Sequence, residues 1–479
     1  MLRRRKISGL LVLGAMMCGG VVRAQENNPQ PDKPLAADSA NSGNQTATTE
    51  DIFPIDQPKV TADTRPLAGA QAQTLGTVNK AYNFVLPSFS VYSQIQRGAI
   101  TGGQSGSDTT FQGFAGARIA LNHTTAYSNT VLDYLAAGSF SENSELGNSL
   151  IQSLDFAYTF QRGRWTTMLG DNLSYTSASP LGYGGLGLDA LGIGLGNGVG
   201  SGTNFLPTFI PNQSLFLNGA GRLSNAVIGQ EEYALSHRSS ITLVGSYGIL
   251  KFVDAGFANG DSVSTQAGYN YQLSRRDEFS IAYQFNRFGY FDIPTALKSH
   301  GALFSYSRKL TGRMNFQING GPQIQIFEEP GIPNETVLDW TLYSGLNYEL
   351  GRTSLNGSYN RSVTGGSGLF VGAETQTISF GISRKLSRAW DASVGSGYSI
   401  NQTFAQTSAN GVSTNFDTVF ASAGVSRHFV RYGSLSVSYS FAHESNLAGL
   451  CPATICTTGT SNMHSISIGY TWGLRPVVL

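Results

Sequence analysis

Residues 304–326 read FSYSRKLTGRMNFQINGGPQIQI, and their alternation decides the fold. From Met314 to Ile326 the apolar residues Met314, Phe316, Ile318, Ile324 and Ile326 share one parity, while the amides Asn315, Gln317, Asn319, Gln323 and Gln325 share the other. Successive side chains of a strand point to opposite faces, so this is a strand with one apolar and one amide face. Leu310-Thr311-Gly312-Arg313 supplies a tight turn, and ahead of it Phe304 and Tyr306 alternate with Ser305 and Ser307. The unit is a β-hairpin.

The unit recurs along the chain. Leu273-Ser274-Arg275-Arg276, Leu310-Thr311-Gly312-Arg313, Leu350-Gly351-Arg352 and Leu386-Ser387-Arg388 each end one alternating run and begin the next, at intervals of roughly 37 residues. Such an interval holds two strands of about 11 residues, a short turn and a longer loop, and about 11 residues is the length of a tilted strand that crosses a bilayer. A water-soluble sandwich shows turns every ~8–12 residues without this short-and-long rhythm.

Composition agrees. Charged residues make up 13% of the chain, about half of the ~25% usual in soluble domains, too few to cover a water-facing surface of this size. Mean hydropathy is near neutral, −0.11, because the two faces cancel. Beyond residue 24 no stretch offers ~18 consecutive apolar residues, which excludes helical spans and leaves a closed barrel to satisfy every backbone group in lipid. A formal net charge of +1 and the lack of a clustered basic face predict no nucleic-acid partner.

The pattern therefore predicts an all-β chain whose residues 81–479 form a transmembrane antiparallel β-barrel of about 18 strands, with both termini periplasmic. Sixteen is the alternative, if the hairpin that contains Pro87 fails, since proline removes a ladder hydrogen bond. Residues 1–24 read as a signal peptide: Arg3, Arg4, Arg5 and Lys6 are basic, Ile7 to Val22 apolar, and Val22-Arg23-Ala24 a cleavage site; Cys18 leaves with it. Residues 25–80, rich in Pro, Asn, Asp, Thr, Gln and Ala, read as a disordered periplasmic segment. The longest interruption, 176–225, holds Gly182-Tyr183-Gly184-Gly185-Leu186-Gly187 and continues apolar and glycine-rich, so it is expected to fold into the lumen rather than stay exposed. Asp171 and Glu231 fall on the apolar parity of their strands, and a bulge or register change is expected near each.

With a secretory signal, alternating strands, short basic turns and its longest loop after the fifth strand, the chain resembles the bacterial porins, in which the third extracellular loop constricts the pore. The last strand, Ser465 to Leu474, also resembles the signal read by the barrel-assembly machinery, through Ser467, Gly469, Trp472 and Leu474. Two departures stand out. Leu474 occupies a position that is usually aromatic and terminal, yet Arg475 to Leu479 follow it, and the long loop carries only Asp189 and Arg222 as formal charges. Regions Pro66 to Gly76 and Gly184 to Ser214 look like uncharacterised barrel proteins of acidobacterial type, a resemblance that implies no activity. The porin resemblance implies a homotrimer, and an outer-membrane position implies contact with lipid and lipopolysaccharide.

The polar parity gives the candidate pore lining: Ser280, Gln284, Asn286, Asn315, Gln317, Asn319, Gln323, Gln325, Asn356 and Asn360. Hydroxyls and amides keep a lumen wet and hold solutes weakly, which suits passive diffusion of small hydrophilic solutes. Asp133, Asp155, Glu232, Asp339 and Glu349 are candidate cation-selective groups, with Arg118 and Arg308 as counter-charges; internal ion pairs that hold the wall are the structural reading of the same residues. Phe288, Tyr290, Phe291, Trp340, Trp390 and Trp472 lie near strand ends, as an interfacial girdle requires. Cys451 and Cys456 share the last long loop, and a disulfide is expected there in an oxidising compartment. The six histidines show no metal spacing, and serine is too abundant to mark a hydrolase, so neither a cofactor nor an enzyme is expected. A transporter of apolar compounds and a non-conducting structural or adhesive barrel are the alternatives to a channel.

Overall fold

The computed structural model describes residues 83–98, 109–142, 149–176, 221–253, 257–329, 331, 333–366, 372–404, 415–429, 433–445, 460–475 and 477–478. The expected signal peptide, the 25–80 segment, most of the 176–225 insert and the Cys451/Cys456 pair lie outside these residues.

The described residues form 18 long strands: β1 (Phe84–Gly98), β2 (Thr109–Thr124), β3 (Ser128–Ser141), β4 (Ser149–Arg162), β5 (Trp165–Thr176), β6 (Arg222–Ala234), β7 (Ser239–Phe252), β8 (Gly260–Gln272), β9 (Asp277–Tyr290), β10 (Ala296–Thr311), β11 (Met314–Glu328), β12 (Glu335–Leu350), β13 (Thr353–Thr364), β14 (Ala373–Lys385), β15 (Trp390–Thr403), β16 (Asn415–Phe429), β17 (Gly433–Ser445) and β18 (Thr460–Gly473). Each pairs antiparallel with the next in chain order, and β1 pairs with β2 on one side and β18 on the other, so the sheet closes into an up-and-down barrel. Closure removes the free edges that an open sheet would present. The hairpin containing Pro87 forms, which settles the strand number at 18 rather than 16.

The barrel is polar inside and apolar outside. On β9, Ser280, Ala282, Gln284, Asn286 and Phe288 are buried while Phe279, Ile281 and Tyr283 are exposed; on β18, Met463, Ser465 and Ser467 alternate with exposed Ile466, Ile468 and Tyr470. Register carries this parity from strand to strand, as in Ser280 opposite Ser305, Ser305 opposite Asn319 and Asn319 opposite Tyr343. A water-soluble barrel has the opposite arrangement; this one suits lipid outside and water inside.

β10 starts at Ala296, six residues before the alternation becomes plain at Ala302, because Gly301 interrupts it. The expected slips and part of the expected girdle are corrected. No slip occurs at Asp171 or Glu231: the β5–β6 register runs unbroken from Trp165–Tyr233 to Thr176–Arg222. Asp171 stays on the outward face and accepts a hydrogen bond from Asn225 Nδ2 at 2.7 Å. Phe288 and Tyr290 are not girdle residues; they share parity with Ser280 and Asn286, point into the barrel and are buried, whereas Trp340, Trp390 and Trp472 do lie exposed on the outer face.

Candidate functional site

The candidate site is the inner wall, and its chemistry changes around the circumference. From β13 to β18 many inward positions are Ser, Thr, Asn or Gly, with Phe416, Phe420, Glu444 and Met463 buried among them. The hydroxyls and amides bond across the strands: Ser358 to Ser379 at 2.7 Å, Thr375 to Asn401 at 3.0 Å, Thr377 to Ser399 at 3.0 Å and Ser438 to Ser467 at 2.6 Å. Similar bonds continue on β7 to β10, where Asn270 donates to Thr242 at 2.9 Å and Asn286 to Ser299 at 2.9 Å.

On β2 to β5 the wall carries charge. Arg118 Nε donates to Asp133 Oδ1 at 2.7 Å and Oδ2 at 2.9 Å. Asp155 lies directly opposite Asp133 and accepts a hydrogen bond from Asn172 Nδ2. One guanidinium therefore faces two carboxylates, leaving an excess of negative charge on the lumen surface. Beside it Tyr92, Phe114, Leu135, Ala137 and Ile151 form an inward apolar patch, with the Tyr92 and Phe114 rings stacked at 4.3 Å.

The predicted lining residues take the following places. Ser280, Gln284, Asn286, Asn319, Gln323 and Gln325 are inward and buried, while Asn315, Gln317 and Asn360 are inward and half-buried. Gln317 Nε2 donates to Tyr343 at 3.2 Å, and Asn360 Nδ2 to Ser362 at 3.2 Å. Asn356 and Glu349 are exposed near the short-turn end. Asp339 accepts from Gln325 Nε2 at 2.7 Å and pairs with Arg361 at 2.7 Å. Arg308 is corrected: it shares the outward parity of Phe304 and Tyr306, and pairs with Asp277 at 3.5 Å at the short-turn end, where Tyr306 also bonds Asp277.

The long-loop end holds a buried apolar group that sequence reading missed. Phe288, Tyr290, Leu297, Phe327 and Val363 pack together, with Ala258 and Phe404 against them. The described ends of the β13–β14 connection meet this cluster: Tyr290 Oη donates to Gly365 O at 2.9 Å. Gly372 has φ +69°, and a Cβ there would stand 3.2 Å from Phe404 and 3.3 Å from Leu297, so only glycine brings the backbone this close. The signal was available, since Phe288, Leu297 and Phe327 all fall on the polar parity of their strands.

The fold and this lining define a large closed barrel of inverted polarity. No family model matches the sequence, and no curated protein matches it. The solved structures it is similar to include the following three crystal structures. Pseudomonas aeruginosa OpdQ is 8% identical with a TM-score of 0.41, covering 82% of this chain and 99% of that one. Acinetobacter baumannii OccAB3 is 10% identical with a TM-score of 0.39, covering 81% and 99%. Pseudomonas aeruginosa OprD is 9% identical with a TM-score of 0.41, covering 83% and 98%. At this identity and score the likenesses bear on neither solute nor residue roles.

Proposed function

We propose that the protein is an outer-membrane channel through which small hydrophilic solutes diffuse passively. The observation that supports this reading is the closed 18-stranded wall with hydroxyls and amides on its inward parity and an apolar outer belt. A barrel of this strand number is wide enough for water and small solutes, and neutral polar groups bind such solutes too weakly to trap them. Arg118 with Asp133 and Asp155, and Asp339 and Glu349 across the lumen, give a preference for cations. Of the 176–225 insert, Thr176 and Arg222 to Asn225 belong to the paired strands β5 and β6; the residues between them are proposed on sequence grounds as a further constriction, and Cys451–Cys456 as a loop disulfide. The acidobacterial likeness adds no activity.

The same reading places lipid and lipopolysaccharide around the outer belt and assigns β18 to recognition by the assembly machinery. A homotrimer is supported by the outward Asp171–Asn225 pair: a carboxylate on a lipid-facing strand is unfavourable, and contact with a second copy shields it.

Single-channel recording of the refolded protein in a planar bilayer tests the channel. Discrete conductance steps are expected, larger after deletion of 182–216; silence from both folded forms sinks the reading. Replacing Asp133 and Asp155 by Asn is expected to lower the cation preference, read as a smaller reversal potential in a salt gradient, with little change in conductance.

A further inference from the structure

Among the described residues, β12 and β13 stop pairing before either strand ends. β12 pairs with β13 only from Leu342–Arg361 to Leu350–Thr353, although β12 begins at Glu335 and β13 continues to Thr364. Continued in the same register, Thr341 falls opposite Ser362 and Trp340 opposite Val363. Each strand keeps its other neighbour: Glu335 to Thr341 remain paired with β11, and Ser362 to Thr364 with β14. The wall splits here rather than ending.

Three observations describe the split. Val363 belongs to the outward parity of β13, yet it is 2% exposed and packs with lumen-lining Phe288, Leu297 and Phe327, so the top of β13 leans inward. Glu335 to Leu338 of β12 are exposed on both faces, Leu338 at 75%. Side chains also replace ladder bonds: Thr341 Oγ1 donates to Arg361 O at 2.9 Å, and the Arg361 guanidinium crosses the seam to Asp339 at 2.7 Å while holding Glu374 of β14 at 2.9 Å. Trp340 lies under this guanidinium, 4.2 Å from its ring centre.

We propose that this seam is a side port for apolar molecules, which enter at the long-loop end and leave beside the Phe288, Phe327 and Val363 cluster, between β12 and β13, into the outer leaflet. The height fits. Leu342 is eight residues above Leu350, about 26 Å along a strand and about 20 Å along the axis of a barrel tilted by ~40°, inside an apolar band ~25 Å tall. An apolar molecule gains free energy by moving from a wet lumen into lipid, whereas a hydrophilic solute would lose its water and stays in the lumen. The port is thus a second route beside the aqueous one, and Arg361 is its latch.

A crosslink across the seam tests this. Thr341→Cys/Ser362→Cys, oxidised, joins the first unbonded positions. Uptake of the fluorescent apolar probe N-phenylnaphthylamine is measured in bacteria whose outer leaflet is lipopolysaccharide, and conductance is measured on the same variant after purification. Wild type is expected to speed uptake severalfold over cells lacking the protein. The crosslink is expected to return uptake to background and leave conductance within about twofold; reductant restores it, with reduced wild type as the control for Cys451 and Cys456. Uptake that the crosslink leaves unchanged overturns the port, whatever the conductance shows. Arg361→Gln gives an independent arm: at least twofold faster uptake is expected in a barrel that still conducts, and an equal or lower rate in such a barrel counts against the latch. Absence of conductance in wild type would sink the aqueous channel and leave the port standing if uptake persists.

Discussion

Two of the seams that interrupt their ladders, β1–β18 and β12–β13, differ in what happens beyond the break, whereas β10–β11 shifts by one residue between Lys309 and Thr311 and stays paired. Between β1 and β18 the register runs from Gly98–Met463 to Ser88–Gly473, slips by one residue, and resumes as Val85–Val477 and Phe84–Val478. Between β12 and β13 it stops at Leu342–Arg361 and does not resume. The first is a bulge that re-aims the chain and reseals. Among the described residues, side chains hold the second. A break in a barrel wall thus becomes an opening when no backbone bonds follow it, and polar side chains must then satisfy what the backbone leaves.

The sharpest way to break this comparison is to remove the side chain that spans the open seam. Arg361, Asp339 and Glu374 have side-chain exposures of 16%, 11% and 13%. Taking the cation from a buried group costs about 3 kcal/mol or more, because two carboxylates remain without a counter-charge. Arg361→Leu is therefore expected to lower the stability of the folded barrel by about 3 kcal/mol in urea titration in lipid vesicles, and Asp339→Asn with Glu374→Gln to recover more than half of that. A loss below about 1 kcal/mol would show that the triad does not hold the seam.

Next in size is the hairpin that leans inward beside the same seam. At Gly372 a side chain meets both a positive φ and the Phe404 and Leu297 contacts. Gly372→Val is expected to cost about 2 kcal/mol and to change the conductance, because the β13–β14 connection must lift off the aromatic cluster. Unchanged conductance would mean that this cluster does not constrict the lumen. Deleting Arg475 to Leu479 comes third. It removes the pairing of Val477 and Val478 with β1, worth about 1–2 kcal/mol, and turns the resealed seam into one that resembles β12–β13.

Much of the wall was legible in sequence, because a period of two survives errors at strand ends: Ser280 to Asn286 and Asn315 to Gln325 lie on the face their alternation gives. Where residue type overruled parity, the reading failed. Arg308 was placed inward for its charge although it alternates with Ser305 and Ser307, and Phe288 and Tyr290 were placed in a girdle for their aromaticity although they alternate with outward Phe285 and Arg287. Asp171 shows the converse: parity held against polarity, and Asn225 supplied the partner instead of a bulge. The seam itself had no signal in the alternation. Inter-strand bonds between β12 and β13 depend on how the inward-leaning hairpin packs against β9, β10 and β11, and the one trace of it was Arg361 on an apolar parity.

The smallest expected effect concerns Pro87 and sharpens the other side of the comparison. Leu474 N donates to Pro87 O at 2.9 Å, so the Pro87 carbonyl points toward β18. Within an antiparallel strand the N–H and C=O of one residue point the same way. The donor that proline lacks would thus also face β18, opposite Leu474 and beside the slip between Gly473 and Val477. One bond at the end of the regular ladder is forgone there, and the fixed φ of proline, which suits a strand, offsets it by restricting the unfolded chain. Pro87→Val is therefore expected to shift stability by less than about 0.5 kcal/mol, against the much larger loss at Arg361. A cost above about 1 kcal/mol would mean that the ring shapes the slip, and that the resealed seam depends on a specific side chain as the open one does.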